Sequence, residues 1–424
     1  MRDSQIVVGV DIGSSKIATL IGKLEEDVIN VLGVSELPAK GIRKGQIVDI
    51  EEAASAINAS LDAAERMAGY SISKVFISIS GVHIESQNSK GIVAISEPQG
   101  EISDTDVARV LEAAGAISLP STATIIHVLP KTFTVDGEGG IKDPNGMTGV
   151  RLEVDTHIIT ANTTSVRNIE RVFEQEAGVG INALVFSGLA SSLATLTETE
   201  KELGVIVADI GAGITNICIF TDGALSYSAV IPIGARHITN DLAIGLRISL
   251  ESAEKIKLYL SGKATKKGTV EGEEDEVDLS ELHLPEELKK VSKKTLVEGI
   301  IRPRLNELFT MIGQELKKSG FATQTPSGLV ITGGGARTIG APEAAKRMLS
   351  MPVRIGLPTS LSGLIDDVEN PSFSTAVGLL NYGRNFTVKE TGGMLDSLFS
   401  AIPSGGSTKG MVGKLKKMVK NFIP

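Results

Sequence analysis

Two stretches far apart in the chain share one pattern of apolar and small residues. Residues 6–22 (IVVGVDIGSSKIATLIG) and 204–220 (GVIVADIGAGITNICIF) each begin with an apolar run, reach Asp-Ile-Gly, turn on small residues and leave on a second apolar run. Short apolar runs bounded by turn residues are typical of buried strands. A third apolar run follows in both copies, after residues 25–27 and 221–223. The repeat therefore predicts a three-stranded meander at the start of each of two similar halves.

The rest of the chain alternates between helical and strand-like patterns, which indicates an α/β protein. The predicted helices cover residues 51–69, 103–116, 165–178, 238–262 (as one helix or two), 296–320 and 341–351. The predicted strands cover residues 73–81, 125–135, 151–161, 181–188 and 328–335, with a glycine-rich turn near 137–149. A charge-rich stretch at 263–287 is interpreted as a loop or hairpin, and the pattern dissolves into Gly, Ser and Thr after Asn385.

Composition excludes several classes of protein. The chain has 424 residues, 42% of them hydrophobic and 22% charged, so it is long enough for several folded units and is not disordered. A single cysteine, Cys218, excludes a disulfide framework and a cysteine zinc site, and a cytoplasmic location is expected. No apolar run reaches 18 residues, and the N-terminus lacks a signal-peptide pattern. The net charge of −9 and the absence of tryptophan argue against nucleic acid as the main partner.

The two Asp-Ile-Gly turns carry the most specific chemistry in the sequence. A tight turn of Gly and Ser presents successive backbone N–H groups, which suit phosphate oxygens. Asp11 and Asp209 precede the turns, where carboxylates would hold waters of a magnesium ion, and Lys16 would neutralise phosphate charge. One such turn is equally compatible with a plain hairpin. The glycines at 333–335, taken alone, are compatible with a strand-to-helix turn. Together, two matching turns and a glycine run indicate a nucleotide site.

This set of motifs resembles the superfamily of actin, the sugar kinases and the heat-shock-70 ATPases. The resemblance implies two turns that grip the nucleotide phosphates from opposite sides, a glycine run that serves as the adenosine motif, and a helix (ESAEKIK) that reaches ribose and adenine. No GxxxxGK[ST] phosphate loop is present, and the glycine run lacks the GxGxxG spacing. The implied nucleotide-binding residues are Asp11, Gly13, Ser14, Ser15, Lys16, Gly211, Ala212, Gly213, Thr215, Glu254, Lys257, Gly333, Gly334 and Gly335.

Longer phrases narrow the resemblance to the FtsA family, the bacterial cell-division actins. They include GVSELPAKGIRKGQIVDIEEA, GVRLEVDTHIIT, VIPIGARHITNDLAIGLR and STAVGLLNYG. The implied fold is α/β, an actin-like (ribonuclease H-like) two-domain ATPase with a 1C subdomain insertion and a C-terminal amphipathic helix. The implied subdomains are 1A at 1–83 and 164–190, 1C at 84–163, 2A at 191–235 and 311–385, and 2B at 236–310, followed by a flexible linker at 386–410 and a membrane-targeting helix at 411–424. Ala212 and Ile214 depart from the usual Gly and Ser or Thr, with an effect on phosphate binding that the sequence leaves open.

The same resemblance suggests ATP and Mg²⁺ binding with slow hydrolysis at most. Hydrolysis needs a group that orients the attacking water. Ser187 stands where actin has a glutamine and is a poor orienter, so Asp209 is the best catalytic candidate. The sequence contains no GxSxG, HExxH or CxxC motif, so hydrolase and protease alternatives have no supporting residues.

The C-terminal segment MVGKLKKMVKNFI (411–423) has the pattern of an amphipathic helix. No acidic residue occurs from Ser397 to the end, although the whole chain is acidic. A lysine-faced helix suits an anionic bilayer surface, whereas the alternative is a helix docked on the protein's own core. The apolar face has Met411, Val412, Leu415, Met418, Val419, Phe422 and Ile423, and the opposite face has Lys414, Lys416, Lys417 and Lys420.

The family resemblance also implies partners. These are the C-terminal peptide of FtsZ, further copies of the chain in a filament, an anionic membrane surface on the cytoplasmic side at the division site, and later division proteins. Lys293 and Arg304 are candidate contacts to acidic groups of the FtsZ peptide, with an ordinary helix-surface ion pair as the alternative for Arg304. Two other functions remain open: a PilM-like scaffold of pilus assembly, and a small-molecule kinase of the same superfamily.

Overall fold

The computed structural model describes residues 5–25, 28–95, 100–266, 275–359 and 361–391. Within these ranges, three main sheets each have a hydrophobic core: one in the first half, one in the second half and one in an inserted domain. No helix in the described ranges is long and apolar enough to cross a membrane.

The strands and helices of the described ranges are numbered in chain order. The strands are β1 (Ile6–Ile12), β2 (Lys16–Glu25), β3 (Val28–Pro38), β4 (Ile42–Arg43), β5 (Gln46–Ile47), β6 (Lys74–Ile79), β7 (Glu85–Ala94), β8 (Ala123–Val135), β9 (Glu138–Ile141), β10 (Arg151–Asn162), β11 (Gly180–Phe186), β12 (Val205–Ile210), β13 (Thr215–Thr221), β14 (Ala224–Ile231), β15 (Glu276–Asp278), β16 (Lys290–Ser292), β17 (Leu329–Thr332), β18 (Val353–Ile355) and β19 (Leu361–Gly363). The helices are α1 (Ile50–Ala68), α2 (Asp104–Gly115), α3 (Thr163–Glu170), α4 (Ser187–Thr195), α5 (Glu198–Leu203), α6 (Ala235–Leu246), α7 (Leu250–Lys266), α8 (Arg302–Ser319), α9 (Ala341–Leu349), α10 (Ile365–Val368) and α11 (Ser374–Thr391).

The predicted meanders begin both halves. In the first half, β1, β2 and β3 pair antiparallel, and β6 and β11 extend the sheet in parallel on the other side of β1, in the order β11-β6-β1-β2-β3-β19. In the second half, β12, β13 and β14 pair antiparallel, and β17 and β18 add in parallel, in the order β14-β13-β12-β17-β18. The matching order explains the sequence repeat, because each half uses its first strand as the centre of its sheet.

Local sequence accounts for how the first long helix begins and ends. The Asp49 carboxylate accepts a hydrogen bond from the Glu52 backbone N–H at 3.0 Å and caps the start of α1. Gly69 ends the helix in the left-handed conformation (φ 70°), which suits glycine because it has no Cβ. The buried side of α1, with Ile57, Leu61 and Ala64, packs on the first sheet.

The inserted domain is a four-stranded sheet, β7-β10-β8-β9, covered by α2. It contacts the second half at β14, an edge strand, through polar groups. The Ser86 hydroxyl donates to the Ser228 carbonyl at 2.7 Å, and the Asn88 amide donates to the Ser226 carbonyl at 3.3 Å. The buried His157 ring lies 2.9 Å from the Ser228 hydroxyl. These contacts cover part of the unpaired side of the edge strand.

Several details were left open by the sequence prediction or differ from it. The stretch 238–262 forms two helices, separated after Arg247 in the left-handed conformation (φ 57°). The predicted glycine-rich turn contains the short strand β9, and the helix predicted at 296–320 begins as π-helix over Thr295–Ile301 before α8. The charge-rich stretch leads into the hairpin of β15 and β16.

The start of the predicted linker is corrected by the last helix. Helix α11 continues to Thr391, so residues 386–391, which the sequence analysis placed in a flexible linker, are helical. The apolar packing of its earlier turns against α4 and β1 allows the helix to continue past the end of the sheet contact. The amphipathic segment 411–424 lies outside the described residues.

A glycine on α11 allows this helix to pack closely on α4. A Cβ at Gly378 would lie 1.7 Å from the Ala190 carbonyl oxygen, whereas a Cβ at the exposed Gly262, on α7, would meet nothing within 4 Å. We expect Gly378→Ala to lower the free energy of unfolding by about 1–3 kcal/mol through overpacking. The control Gly262→Ala should raise it by about 0.5–1 kcal/mol, because alanine favours a helix. Urea denaturation measures both, and equal effects would contradict the close contact.

Candidate functional site

The two Asp-Ile-Gly turns close in the same way and face each other. The backbone N–H of Gly13 donates to the Lys16 carbonyl at 3.0 Å, and that of Gly211 donates to the Ile214 carbonyl at 2.9 Å. A Cβ at Gly213 would lie 3.1 Å from the Ser14 hydroxyl oxygen, so the second turn approaches the first at van der Waals distance. The structure therefore brings together two matching turns that lie about two hundred residues apart in the chain.

The start of α6 fixes the second turn. The backbone N–H groups of Ala235 and Arg236 donate to the carbonyls of Gly211 and Ala212 at 2.9 and 2.8 Å. A Cβ at Gly234 would lie 2.6 Å from the Ala212 carbonyl oxygen, so the close approach needs glycine there. Because these turn carbonyls are bound by the helix start, the turn is held in one conformation.

A short hairpin that the sequence analysis missed supports the first turn. The Gly45 backbone N–H donates to the Ser14 hydroxyl at 2.9 Å. Lys44 and Gly45 form the tip between β4 and β5, with φ values of 50° and 75°. Two positive φ values are required at a tight type I′ hairpin turn. In the sequence, the Lys-Gly pair between the apolar residues Ile42 and Ile47 could have indicated this hairpin.

The two carboxylates lie beside the turns and bind neighbouring polar groups. The Ser78 hydroxyl donates to Asp11 at 2.7 Å. Asp209, only 6% exposed, accepts hydrogen bonds from the Asn216 amide at 3.1 Å and the Thr375 hydroxyl at 3.3 Å. Burial raises the pKa of Asp11 above its ordinary value. Burial, with a further contribution from Asp11, raises the pKa of Asp209 to about 7.

This pair of carboxylates fits a hydrated divalent cation. In a buried site, a charged carboxylate makes it less favourable for a second carboxylate beside it to be charged. A cation between the two would offset this repulsion. The described ranges contain no cluster of three or more His, Cys, Asp or Glu side chains that could hold a metal directly. Mg²⁺ keeps most of its waters and needs only one or two carboxylates, so the donor set suits that ion.

The glycine run packs on the second Asp-Ile-Gly. A Cβ at Gly333, which has φ 79°, would lie 2.4 Å from an Asp209 carboxylate oxygen. A Cβ at Gly335 would lie 2.4 Å from the Ile210 side chain. Both positions therefore require glycine, and the run contributes backbone groups directly beside the second turn. The structure brings the glycine run and both turns into one site.

Other predicted residues are bound within the protein. The Lys16 ammonium lies 3.0 Å from a Glu36 carboxylate oxygen. Lys257 pairs with Glu254 at 2.8 Å, and both bind the Thr239 hydroxyl, at 2.9 and 2.5 Å. Two hydroxyl groups donate to backbone carbonyls: Thr215 to Ile233 at 2.7 Å and buried Ser187 to Ile79 at 3.4 Å. Ser15 is exposed at the turn, and its carbonyl accepts a hydrogen bond from Ala39 at 2.9 Å.

Comparison with known proteins decides the family. A family profile described as "Cell division protein FtsA" matches residues 206–378, and one described as "SHS2 domain inserted in FTSA" matches residues 81–160. The "Cell division protein FtsA" of Pseudomonas aeruginosa is 40% identical over 426 residues, which cover 100% of this chain and 99% of that protein. The chain belongs to the FtsA family. The protein of the same name from Bacillus subtilis is 37% identical over 390 residues, covering 92% of this chain and 86% of that protein.

Solved structures show the fold of this FtsA-family chain. A structure titled "PilM-PilN type IV pilus biogenesis complex" matches with a TM-score of 0.63 and 17% identity, over 89% of this chain and 98% of that one. A structure of MreB5 of Spiroplasma citri, titled as bound to ADP, matches with a TM-score of 0.55 and 12% identity, over 92% and 99% of the two chains. These likenesses confirm the predicted actin-like fold, and the SHS2 match confirms the predicted inserted subdomain.

The raised pKa of Asp209 makes stability depend on pH. Folded Asp209 holds its proton up to a pKa of about 7, whereas the ordinary value is 3.8. Between these values the folded state binds more protons than the unfolded state, so the free energy of unfolding falls as pH rises. The side chain at position 209 cannot titrate in Asp209→Asn. We therefore expect the free energy of unfolding of this variant, relative to that of the wild type, to rise by about 1–3 kcal/mol from pH 5 to pH 8.

Urea denaturation at both pH values measures this difference. The control is Asp62→Asn, which changes an exposed carboxylate on α1. A gap between wild type and Asp209→Asn that stays constant with pH would contradict the raised pKa.

Proposed function

We propose that this FtsA-family protein binds ATP with Mg²⁺ between its two halves. The observation that carries the proposal is the pair of turns at 11–16 and 209–214, closed by the same hydrogen bond and in contact through Gly213 and Ser14. Exposed backbone N–H groups of such turns suit phosphate oxygens from two sides. The glycine run packed beside the second turn would offer backbone groups to the nucleoside, and the helix that carries Glu254 and Lys257 would reach ribose and adenine.

The two carboxylates would hold waters of the magnesium ion. Bound Mg²⁺ would supply positive charge to the β- and γ-phosphates. Asp209 is the candidate to orient an attacking water, but hydrogen bonds from Asn216 and Thr375 already occupy one of its oxygens. Ser187 is 6% exposed and donates to a backbone carbonyl, so it offers no better group. We therefore propose slow hydrolysis at most.

Membrane attachment is the second part of the proposal. The segment 411–423 has an apolar face and a lysine face, and each lysine near an anionic surface contributes about 1 kcal/mol. One such helix binds reversibly, whereas a filament that carries many helices binds firmly through avidity. We propose that the protein polymerises on the cytoplasmic face of the membrane, tethers FtsZ filaments there and helps to recruit later division proteins. The inserted domain would contact neighbouring copies and those later proteins.

A surface cavity in the predicted 2B subdomain supports the FtsZ contact. It has a volume of about 360 Å³ and is lined by residues of α6, the π-helical turn and α8: Asp241, Ile244, Gly245, Gly299, Ile300, Pro303, Arg304 and Glu307. Ile244 is 76% exposed there. Arg304 binds both Asp241 oxygens at 2.6 and 2.9 Å and also contacts Glu307. The exposed Ile244 and the neighbouring Ile300 form an apolar wall that suits apolar side chains of a peptide, while Arg304 neutralises the two carboxylates that would otherwise repel an acidic one.

A pilus-assembly scaffold is the alternative with a specific observation behind it, namely the fold likeness to the PilM–PilN structure. At 17% identity this likeness reports the fold alone, whereas the FtsA relatives reach 40% identity over the whole chain. The lysine-faced C-terminal segment also favours a membrane role. For the small-molecule kinase, phosphate transfer to a panel of polyols remains a direct test.

Co-sedimentation with anionic liposomes tests the membrane proposal. We expect the full chain to pellet with the liposomes, more strongly with Mg-ATP because filaments add avidity, and a version truncated after Gly406 to stay in solution. Replacing Leu415 by Glu in the full chain is a matched control, because it retains the lysines and removes part of the apolar face. Equal binding by the truncated protein, or no binding by the full chain, would favour a docked helix.

Binding of a fluorescent FtsZ C-terminal peptide tests the cavity. We expect Arg304→Ala to weaken binding by about tenfold, because it leaves the Asp241 and Glu307 carboxylates without their cation beside an acidic peptide. The control is Arg347→Ala on α9, whose guanidinium binds Asn306 at 2.6 Å and does not line the cavity. Lys293, the other predicted contact, does not line the cavity either, so Lys293→Ala should have a smaller effect. Unchanged affinity in Arg304→Ala would place the peptide elsewhere.

A further inference from the structure

The ammonium group of Lys16 is fully engaged by protein groups. Its nitrogen lies 3.0 Å from a Glu36 carboxylate oxygen, 3.0 Å from the Ser372 hydroxyl oxygen and 3.9 Å from the centre of the Phe373 ring. A lysine has three N–H donors, so two hydrogen bonds and one ring contact use the whole group. The side chain is only 19% exposed. A phosphate would have to displace one of these partners to reach the ammonium.

The segment that Lys16 contacts also binds the glycine run and the second turn. The Pro371 carbonyl accepts a hydrogen bond from the Gly333 backbone N–H at 3.1 Å. The Thr375 hydroxyl donates to the Asp209 carboxylate at 3.3 Å. The Ser374 hydroxyl lies 2.6 Å from that of Thr332, the last residue of β17 before the glycine run. Residues 371–375 therefore join three loops that come from distant parts of the chain.

Local contacts hold this segment in the required shape. The Asn370 side chain accepts a hydrogen bond from the Ser372 backbone N–H at 3.1 Å, which caps the short turn before α11. Phe373 is 5% exposed and packs in the core of the first half. Lys16 is the residue of the first turn whose side chain contacts this segment, through both the Ser372 hydroxyl and the Phe373 ring.

We propose that Lys16 is a positioning residue rather than a phosphate ligand: together with Glu36 it holds segment 371–375, and through it the glycine run, in place against the first turn. The inference rests on the proposed nucleotide site for its functional meaning. It gives Glu36, which the sequence analysis did not name as a site residue, a role in nucleotide affinity. The phosphates would then be bound by backbone N–H groups and Mg²⁺ rather than by this lysine.

The alternative role makes the opposite prediction for Glu36. If Lys16 binds phosphate and Glu36 competes for it, removal of the Glu36 carboxylate frees the ammonium and raises the affinity for ATP. If Lys16 holds the segment, the same change loosens the contact with Ser372, and the affinity falls. The sign of the change therefore distinguishes the two roles.

The experiment compares Glu36→Ala and Ser372→Ala with a closely matched control, Glu25→Ala. Glu25 pairs with Lys23 at 2.9 Å on the same strand as Lys16 and has nearly the same exposure as Glu36, 46% against 49%. Hydrogen exchange of the full-length, nucleotide-free protein is measured at the Gly333 amide and over residues 371–375. Displacement of a fluorescent ATP analogue by ATP and by ADP is measured on the same variants.

We expect both Glu36→Ala and Ser372→Ala to speed exchange at these amides by about two- to fivefold, in keeping with a partly exposed ion pair. ATP and ADP affinity should fall by a similar factor, and Glu25→Ala should match the wild type. The proposal would be overturned if Glu36→Ala and Ser372→Ala exchanged these amides at the rate of Glu25→Ala, or if Glu36→Ala bound ATP more tightly than the wild type. If the wild type binds neither nucleotide, the proposed function fails, and the exchange rates alone decide whether Lys16 holds the segment.

Discussion

The close approach of backbone segments at the centre of the molecule is the constraint on which the rest depends. A Cβ at Gly13, Gly234, Gly333 or Gly335 would lie 2.4–2.6 Å from a neighbouring atom. Side chains at these positions would force apart the loops that meet within each half. The site is therefore made of main chain, and the polar groups that it offers are backbone N–H groups and the few side chains that border them. This explains why the sequence carries a recognisable glycine pattern at this place.

Burial of Asp11 and Asp209 has an energetic consequence for that centre. Both carboxyls have a raised pKa because burial disfavours charge, and for Asp209 the neighbouring Asp11 adds to the effect. Hydrogen bonds from Ser78, Asn216 and Thr375 offset part of this cost. A group that is unfavourable when charged in the protein alone becomes favourable beside a cation. In the proposed site, metal binding would therefore be coupled to loss of protons from these carboxyls, and a bound cation would stabilise the folded protein.

Local sequence patterns predicted the parts of the structure that local interactions determine. The two meanders follow from apolar runs around Asp-Ile-Gly, and α1 follows from an Asp cap, an apolar stripe and a final glycine. The partners of Lys16 were beyond prediction, because Glu36 and Ser372 approach it only through the pairing of β2 with β3 and the packing of α11. Only the last two residues of segment 371–375 belong to a family phrase, STAVGLLNYG, and that phrase did not indicate that the segment touches three loops. The break between α6 and α7 was left open because no Gly or Pro separates them, and Arg247 adopts the left-handed conformation instead.

The inserted domain is joined to the second half by a different kind of contact. Ser86 and Asn88 donate to carbonyls of the edge strand β14, so the inserted domain takes up acceptors that another strand would otherwise use. His157 lies within hydrogen-bond distance of Asn88 through one ring nitrogen and of Ser228 through the other, at 2.8 and 2.9 Å. Burial lowers its pKa to about 3, so the ring stays neutral at physiological pH. The seam is thus polar but uncharged at this point, where matched donors and acceptors set its geometry, and the Lys142–Glu202 ion pair crosses it elsewhere.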